Sequence, residues 1–158
     1  GSHPTTRLCL ETLERYAKNG DEVLDIGCGS GILSIATLLL GAKHALGVDI
    51  DSLAVKTAKE NAKQNGFAED RFTAVQGNLS DKVSGKFDIV VANIVADIIM
   101  EFNTEVGKFL KDDGVYITGG IIENREDEVL YSFNQNGFKV IERHENNGWL
   151  VFVLKKTL

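Results

Sequence analysis

The sequence has little proline and little cysteine: one proline, Pro4, and two cysteines, Cys9 and Cys28, among 158 residues. Two cysteines without repeated spacing do not build the framework of a small disulfide-rich secreted protein, and we expect free thiols in a reducing compartment. Neither cysteine has a histidine or cysteine partner at zinc-site spacing, so no metal site is predicted. A chain of this length buries roughly two-thirds of its unfolded surface without such crosslinks. We therefore predict a single domain over residues 1–158.

The sequence also lacks a long apolar run and an excess of positive charge. The longest uncharged apolar stretch, residues 32–42, is far shorter than the ~20 residues of a membrane-spanning helix, and residues 1–16 lack the apolar core of a signal peptide. The net charge of −6 disfavours broad contact with nucleic-acid phosphates. We expect a cytoplasmic protein with no membrane partner and no direct nucleic-acid binding.

Strand and helix patterns alternate along the chain. Short apolar runs typical of strands alternate with runs whose apolar residues recur at helical spacing. Strands are predicted at residues 22–26, 45–48, 72–76, 87–92 and 114–118, and helices at residues 6–18, 30–40, 97–110 and 125–136 and between Asp51 and Asn65. Residues 139–144 and 149–154 flank an Asn-Asn-Gly turn and predict an antiparallel hairpin. The order predicts an α/β, Rossmann-like, seven-stranded and mostly parallel sheet with helices on both faces and a C-terminal hairpin.

Residues 23–31 (VLDIGCGSG) run from a strand into three alternate glycines, Gly27, Gly29 and Gly31, and then into a helix. Glycine is needed where the backbone turns sharply or a ligand approaches the main chain, because a Cβ would block either. The dinucleotide fingerprint G-x-G-x-x-G is not met, since Ile32 follows the third glycine. The pattern is instead similar to motif I of S-adenosylmethionine-dependent methyltransferases. Taken alone, such a loop can also be a simple helix-capping turn.

Polar residues follow the next two predicted strands. Asp49 ends the second strand, 22 residues after Gly27, a spacing at which a carboxylate accepts hydrogen bonds from ribose hydroxyls. Asp51 is assigned to the cap of the following helix. Asn78 follows the third strand, where these methyltransferases place a polar side chain on the adenine amino group, although Gly77 and Asn78 also suit an ordinary turn.

Asn93 ends the fourth strand and is the predicted catalytic residue. An asparagine facing the cofactor methyl group can accept hydrogen bonds from an amine and direct its lone pair at the sulfonium carbon. Many amide and exocyclic-amine methyltransferases have N-P-P-Y or D-P-P-Y here, which a chain whose only proline is Pro4 cannot contain. His3, His44 and His144 are scattered, so no dedicated base is predicted. We expect an acceptor lysine to lose its proton on entering an apolar site, because desolvation lowers its pKa.

Several segments extend the resemblance to one family. They are residues 1–10 (GSHPTTRLCL), 25–34 (DIGCGSGILS), 47–51 (GVDID), 90–94 (VVANI) and 119–122 (GGII), together with Trp149. Over nearly its whole length the chain resembles the PrmA family, which methylates protein eleven of the large ribosomal subunit. The resemblance implies S-adenosylmethionine as cofactor, S-adenosylhomocysteine as product, and cofactor contacts from Thr6, Gly27, Asp49 and Asn93. The glycine loop adds Gly29 to the predicted cofactor-binding residues.

The resemblance implies methyl transfer to lysine side chains or the N-terminal α-amine of a large-subunit ribosomal protein. Another protein or a small molecule as acceptor remains an alternative, as does a non-catalytic module that only binds the cofactor. Either Thr5 or Thr6 can instead cap the first helix, and residues 1–3 are either native or the remnant of a purification tag. Family members carry a separate N-terminal domain that recognises the ribosomal protein, and the resemblance begins in mid-motif at Gly1. We therefore expect this chain to bind cofactor but to methylate its natural substrate poorly.

Overall fold

The chain folds around one seven-stranded sheet, and the computed structural model describes residues 3–158. The strands are β1 (Glu22–Ile26), β2 (His44–Asp49), β3 (Phe72–Gln76), β4 (Phe87–Asn93), β5 (Leu110–Ile122), β6 (Phe138–Asn146) and β7 (Trp149–Lys156). The helices are α1 (Pro4–Tyr16), α2 (Ile32–Leu39), α3 (Ser52–Gln64), α4 (Ala96–Asn103) and α5 (Glu126–Gln135), with 3-10 turns at Val106–Lys108 and Glu123–Arg125. Within residues 3–158, no helix has both the length and the apolar character needed to cross a membrane.

The order of the strands across the sheet is β3-β2-β1-β4-β5-β7-β6. Strands β1 to β5 run parallel, whereas β7 is antiparallel to both β5 and β6. The predicted α/β fold with a closing antiparallel hairpin is therefore confirmed. Since β1 pairs with β2 on one side and with β4 on the other, the order of the strands reverses there. A crevice between the carboxyl ends of β1 and β4 is the place where ligands bind in such sheets.

Helices on the two faces of the sheet bury separate apolar clusters. On one face α1, α2 and α3 cover the strands, with Leu13 and Leu38 among the buried side chains. On the other face α4 and α5 insert Phe102 and Phe133, whose rings meet the buried ring of Tyr116 edge to face. Because both faces are packed, a slip of one strand would expose an entire row of apolar side chains. The strand ends that carry the polar residues are held in place by this packing.

The segment between β4 and β5 differs from the prediction. The sequence predicts one helix over residues 97–110, but α4 is shorter and a 3-10 turn follows it. The apolar residues beyond α4 are buried without being helical. Val106 is fully buried in the 3-10 turn, and Leu110 is fully buried at the first position of β5. Strand β5 starts before the predicted residues 114–118 because Leu110 already pairs with Phe87 across a register shift. Periodic burial in this segment therefore does not indicate a continuous helix.

Thr118 in β5 provides a test of the packing. Its hydroxyl is fully buried, and Oγ1 has no hydrogen-bond partner among residues 3–158. Because a buried hydroxyl without a partner costs about 1–3 kcal/mol, we expect Thr118→Val to leave the free energy of unfolding unchanged or to raise it by about 1–2 kcal/mol in urea denaturation. The control is Thr12→Val, which removes a buried hydroxyl that donates to the Leu8 carbonyl at 2.7 Å and should lower stability by about 1 kcal/mol. A clear loss of stability in Thr118→Val would contradict this account.

Candidate functional site

A cavity of about 410 Å³ opens at the carboxyl ends of β1, β2 and β4. Apolar side chains form most of its wall, namely Ile26, Val48, Ile50, Leu79, Ile94 and Ile98. Polar groups lie at three places on this wall: the Gly27 backbone, the Asp49 carboxylate and Asn78. A largely apolar cavity with a few fixed polar groups is the usual form of a small-molecule site.

The glycine loop joins β1 to α2 in a conformation that needs glycine. Gly27, Gly29 and Gly31 all have positive φ angles, of +71°, +53° and +84°. A Cβ on Gly27 would lie 2.5 Å from the Ile94 side chain, so β1 and β4 approach each other closely only because no Cβ is there. A Cβ on Gly29 would meet no atom of residues 3–158 within 4 Å and would project into open space. The loop therefore offers bare backbone to a ligand.

Asp49 connects the end of β2 to the glycine loop. Its Oδ2 accepts a hydrogen bond from the Gly29 N–H at 2.9 Å, and its Oδ1 accepts one from the Asp51 N–H at 3.0 Å. A carboxylate has about four acceptor sites, so Asp49 keeps acceptor capacity for a ligand in the cavity. Asp51 caps α3, with its side chain accepting from the Leu53 N–H at 2.9 Å. The prediction that Asp51 caps the helix is therefore confirmed, and the ribose contact of Asp49 stays a prediction.

Asn78 lies at the edge of the cavity in a tight turn after β3. Its backbone N–H donates to the Asp81 carboxylate at 2.9 Å, which is the turn chemistry that the sequence also suggested. The Asn78 side chain is exposed and lines the cavity. The next residue, Leu79, has a φ angle of +54°, which is rare for leucine and places backbone strain at the cavity wall.

The Asn93 side chain is held by two neighbouring threonines of α1. Thr5 Oγ1 donates to Asn93 Oδ1 at 2.9 Å, and Asn93 Nδ2 donates to Thr6 Oγ1 at 3.2 Å. Thr5 is 1% exposed, so this contact is shielded from water. The N-cap of α1 is His3, whose side chain accepts from the Thr5 N–H, so the interpretation of either threonine as the cap is wrong. The sequence alone did not link Thr5 to Asn93.

Two glycines in β5 allow this arrangement. A Cβ on Gly119 would lie 2.7 Å from Asn93 Oδ1 and 2.8 Å from Cys9 Sγ. A Cβ on Gly120 would lie 2.7 Å from the Ile94 carbonyl oxygen, and Gly120 also has a positive φ of +74°. The sequence indicated these glycines only through family resemblance, and consecutive glycines in a buried strand are the signal that could have shown their role.

A second cleft of about 220 Å³ lies on the other side of Asn93. Thr6 and Asn93 line this cleft, whereas Gly27, Asp49 and Asn78 line the larger cavity, and Ile94 lines both. On the far wall of the second cleft are His3, Gly120 and Trp149, with the His3 and Trp149 ring centroids 4.6 Å apart. Asn93 therefore lies beside the wall that divides the two spaces. The predicted site residues lie at one end of the sheet, but they are distributed over the two compartments, and Gly29 lines neither of them.

A second carboxylate, Asp25 in β1, lies beneath the glycine loop. It is 1% exposed, and its Oδ2 accepts from Ser34 Oγ at 2.7 Å. Burial raises the pKa of Asp25 to about 7, with the nearby Asp49 charge acting in the same direction and the Ser34 hydrogen bonds opposing both. Burial likewise raises the pKa of Cys9 to about 12 and that of Cys28 further still. Both thiols are therefore neutral and are poor nucleophiles.

Fold and site together define the class of this protein. A seven-stranded sheet with β7 antiparallel, a glycine loop after β1 and a carboxylate at the end of β2 are the features of the class I methyltransferase fold. The chain belongs to the PrmA family, since the family model described as "Ribosomal protein L11 methyltransferase (PrmA)" matches residues 1–157.

Relatives with the same description support this assignment. The ribosomal protein L11 methyltransferase of Dictyoglomus thermophilum is 52% identical over 155 residues, covering 98% of this chain and 50% of the relative. That of Caldicellulosiruptor bescii is 47% identical over 158 residues, covering 100% and 51%. A crystal structure of a ribosomal protein L11 methylase from Lactobacillus delbrueckii subsp. bulgaricus superimposes with a TM-score of 0.95 at 32% identity, covering 100% of this chain and 81% of that one. The chain spans about half the length of the curated relatives that it matches.

The buried carboxyl group predicts a pH dependence of stability. The pKa of Asp25 rises from 3.8 to about 7 on folding, so its contribution to stability is fully present below about pH 4 and is lost as the pH rises through about 7. We expect the free energy of unfolding of the wild type, relative to Asp25→Asn, to fall by a few kcal/mol between about pH 4 and pH 8. Urea denaturation at both pH values measures this difference. An equal difference at the two pH values would show that Asp25 is ionised in the folded protein throughout this range.

Proposed function

We propose that this chain is the catalytic domain of a ribosomal protein L11 methyltransferase, which transfers methyl groups from S-adenosylmethionine to amino groups of that protein. The observation that carries the proposal is the position of Asn93 in the second cleft, directly before Ile94, which lines both that cleft and the ligand-sized cavity. A protein that only binds the cofactor has no need for a polar side chain at such a junction. The relatives' shared name supports the acceptor.

The residues around the larger cavity suit S-adenosylmethionine. The Gly27 backbone lies on the cavity wall, and Asp49, held by the Gly29 N–H, has free acceptor sites for ribose hydroxyls. The apolar wall suits an adenine ring, and the exposed Asn78 amide is the candidate partner for the adenine amino group. Thr6 is the candidate contact on the side of Asn93. Among residues 3–158, no basic side chain lies on the cavity wall, which fits a ligand without phosphate groups.

The cofactor supplies a methyl group on a positively charged sulfur, so the protein has little acid–base chemistry to perform. Asn93 Oδ1 accepts one hydrogen bond from Thr5 and keeps a second acceptor site for the N–H of the acceptor amine. Such orientation can lower a barrier by up to about 7–11 kcal/mol. Ile94 and Val95 give the second cleft an apolar part, and desolvation against it would lower the pKa of an entering lysine. His44 and His144 are hydrogen-bonded to Thr73 and Glu142, away from Asn93, whereas His3 lines the second cleft together with Asn93.

A ribosomal protein as substrate implies that the reaction takes place in the cytoplasm. No direct contact with nucleic acid is needed for it, in keeping with the net charge of −6. The prediction that a separate domain of the family contributes substrate recognition stays a prediction. Assays of transfer by this chain are therefore best done under single-turnover conditions with the protein in excess.

Asp49→Ala tests the cofactor site. Loss of charge-assisted hydrogen bonds to the ribose should weaken S-adenosylmethionine binding about 10-fold to 100-fold in calorimetry, with the far-ultraviolet circular dichroism unchanged. Asp51→Ala is the control, because it removes a carboxylate two residues away that caps α3 and does not line the cavity. Equal affinity of Asp49→Ala and the wild type would remove the ribose assignment.

Asn93→Ala tests the catalytic assignment. With labelled S-adenosylmethionine and isolated ribosomal protein L11, we expect the rate of methyl transfer to fall about tenfold or more while the cofactor dissociation constant changes less than about threefold. The physical reason is that Asn93 orients the acceptor amine. Equal losses in rate and binding would reduce Asn93 to a cofactor contact. Label that enters other ribosomal proteins but not L11 would show that the acceptor is wrong.

A further inference from the structure

A third cleft of about 510 Å³ adjoins the second cleft at Trp149. The third cleft is lined by Ile122, Glu123, Asn124, Asn147, Gly148 and Trp149. Trp149 is the residue shared with the cleft beside Asn93. Trp149 therefore contributes to the wall of both clefts, and the third cleft adjoins the proposed site of methyl transfer at this residue.

The backbone around the third cleft is well fixed. The Glu123 N–H donates to the Gly148 carbonyl at 2.8 Å, and Ile122 pairs with Trp149 in the ladder between β5 and β7. Asn147 and Gly148 form the hairpin turn with positive φ angles of 53° and 80°. The wall that carries Glu123 is thus tied directly to the wall formed by the turn. A ligand would meet a preformed surface rather than a loop that it must first order.

The charge at this end of the molecule is negative and is not balanced locally. Glu123 is exposed and forms no ion pair with any residue in the described range 3–158. The arginines nearby in sequence are occupied: Arg125 pairs with Asp97 and Glu128, and Arg143 pairs with Glu126 and Glu145. Each arginine therefore meets two carboxylates, and the additional charge of Glu123 remains available to a cationic group in the cleft.

We propose that the third cleft is a recognition subsite for a lysine or arginine side chain of the acceptor polypeptide, with Glu123 as its ion-pairing partner. The proposal rests on the proposed function and specifies which acceptors the site prefers. The aliphatic stem of such a side chain packs on Ile122 and Trp149, while its cationic end reaches the Glu123 carboxylate and the amide oxygens of Asn124 and Asn147. When a basic residue lies close in sequence to the methylated amine, its side chain can occupy the third cleft while the amine occupies the second.

Trp149 is the sole tryptophan of the chain and lines both clefts, so its fluorescence can report on peptide binding there. Two synthetic tripeptides, acetyl-Lys-Ala-Arg-amide and its citrulline counterpart, differ only in the positive charge of the last side chain. Each is titrated into the whole chain, with and without S-adenosylhomocysteine, and the dissociation constant is read from Trp149 fluorescence. Because the ion pair is exposed, we expect the arginine peptide to bind about threefold to fivefold more tightly at low salt, with a smaller preference at high salt.

Glu123→Gln should reduce this preference to about 1.5-fold or less without changing the affinity for S-adenosylhomocysteine. Asp127→Asn is the matched control, because it removes the same charge from an exposed side chain at the same end of the molecule but does not line the cleft, and it should keep the preference. A preference that survives Glu123→Gln, or one lost equally in both variants, overturns the subsite. So does the absence of any fluorescence change with either peptide.

Failure of the subsite and failure of the proposed function give different results. Failure of the chain to bind S-adenosylmethionine in calorimetry would contradict the proposed methyltransferase function. The preference for the arginine peptide would still be measurable by Trp149 fluorescence. Loss of the peptide preference with cofactor binding intact would count against the subsite alone.

Discussion

The rest of the site depends on one constraint, the close approach of three strand ends. This approach requires glycine at three positions, because a larger residue would collide with its neighbour. Gly27 lets the end of β1 meet Ile94, and Gly119 and Gly120 let β5 meet Asn93 and Ile94. A methyl group at any of these positions would come within 2.8 Å of an atom of Asn93 or of Ile94, the residue that follows β4. A displacement of β4 by that contact would shift the wall between the cavity and the second cleft. The geometry at Asn93 is thus determined by backbone packing before any side chain is considered.

Helix α1 completes that geometry because it is attached at both ends. At its start, Thr5 and Thr6 bind the Asn93 amide, and at its end Tyr16 and Arg15 donate hydrogen bonds to Glu142 of β6. Burial opposes ionisation of Glu142, but hydrogen bonds from Tyr16, His144 and Arg15 outweigh it and hold its pKa at about 2. The contact stays charged at neutral pH. A helix held in this way can position a side chain on β4 more accurately than a free terminal segment.

Local signals in the sequence predicted much of the fold and part of the site. The glycine loop and the Asp51 cap depend on residues close in sequence, and their patterns were sufficient. The contact between Thr5 and Asn93 joins residues 88 positions apart, and no periodicity or spacing reports such a pair. The predicted helix over residues 97–110 was wrong for a related reason, because tertiary packing buries its last apolar residues on a backbone that is not helical. Sequence patterns therefore indicated which residues are polar or buried at the site but not which of them touch.

The distribution of charge over the two clefts is consistent with chemistry on a neutral amine. A carboxylate in the place of Asn93 would stabilise the ammonium form of a lysine and raise its pKa, whereas a neutral amide accepts a hydrogen bond without holding the extra proton. Glu123, which forms no ion pair within residues 3–158, lies instead in the third cleft, which shares Trp149 with the cleft beside Asn93. In the proposed reaction, a cation is recognised at Glu123 while the reacting nitrogen loses its proton beside the neutral Asn93 amide. Recognition of positive charge and activation of the amine make opposite electrostatic demands, and placing them in separate clefts satisfies both.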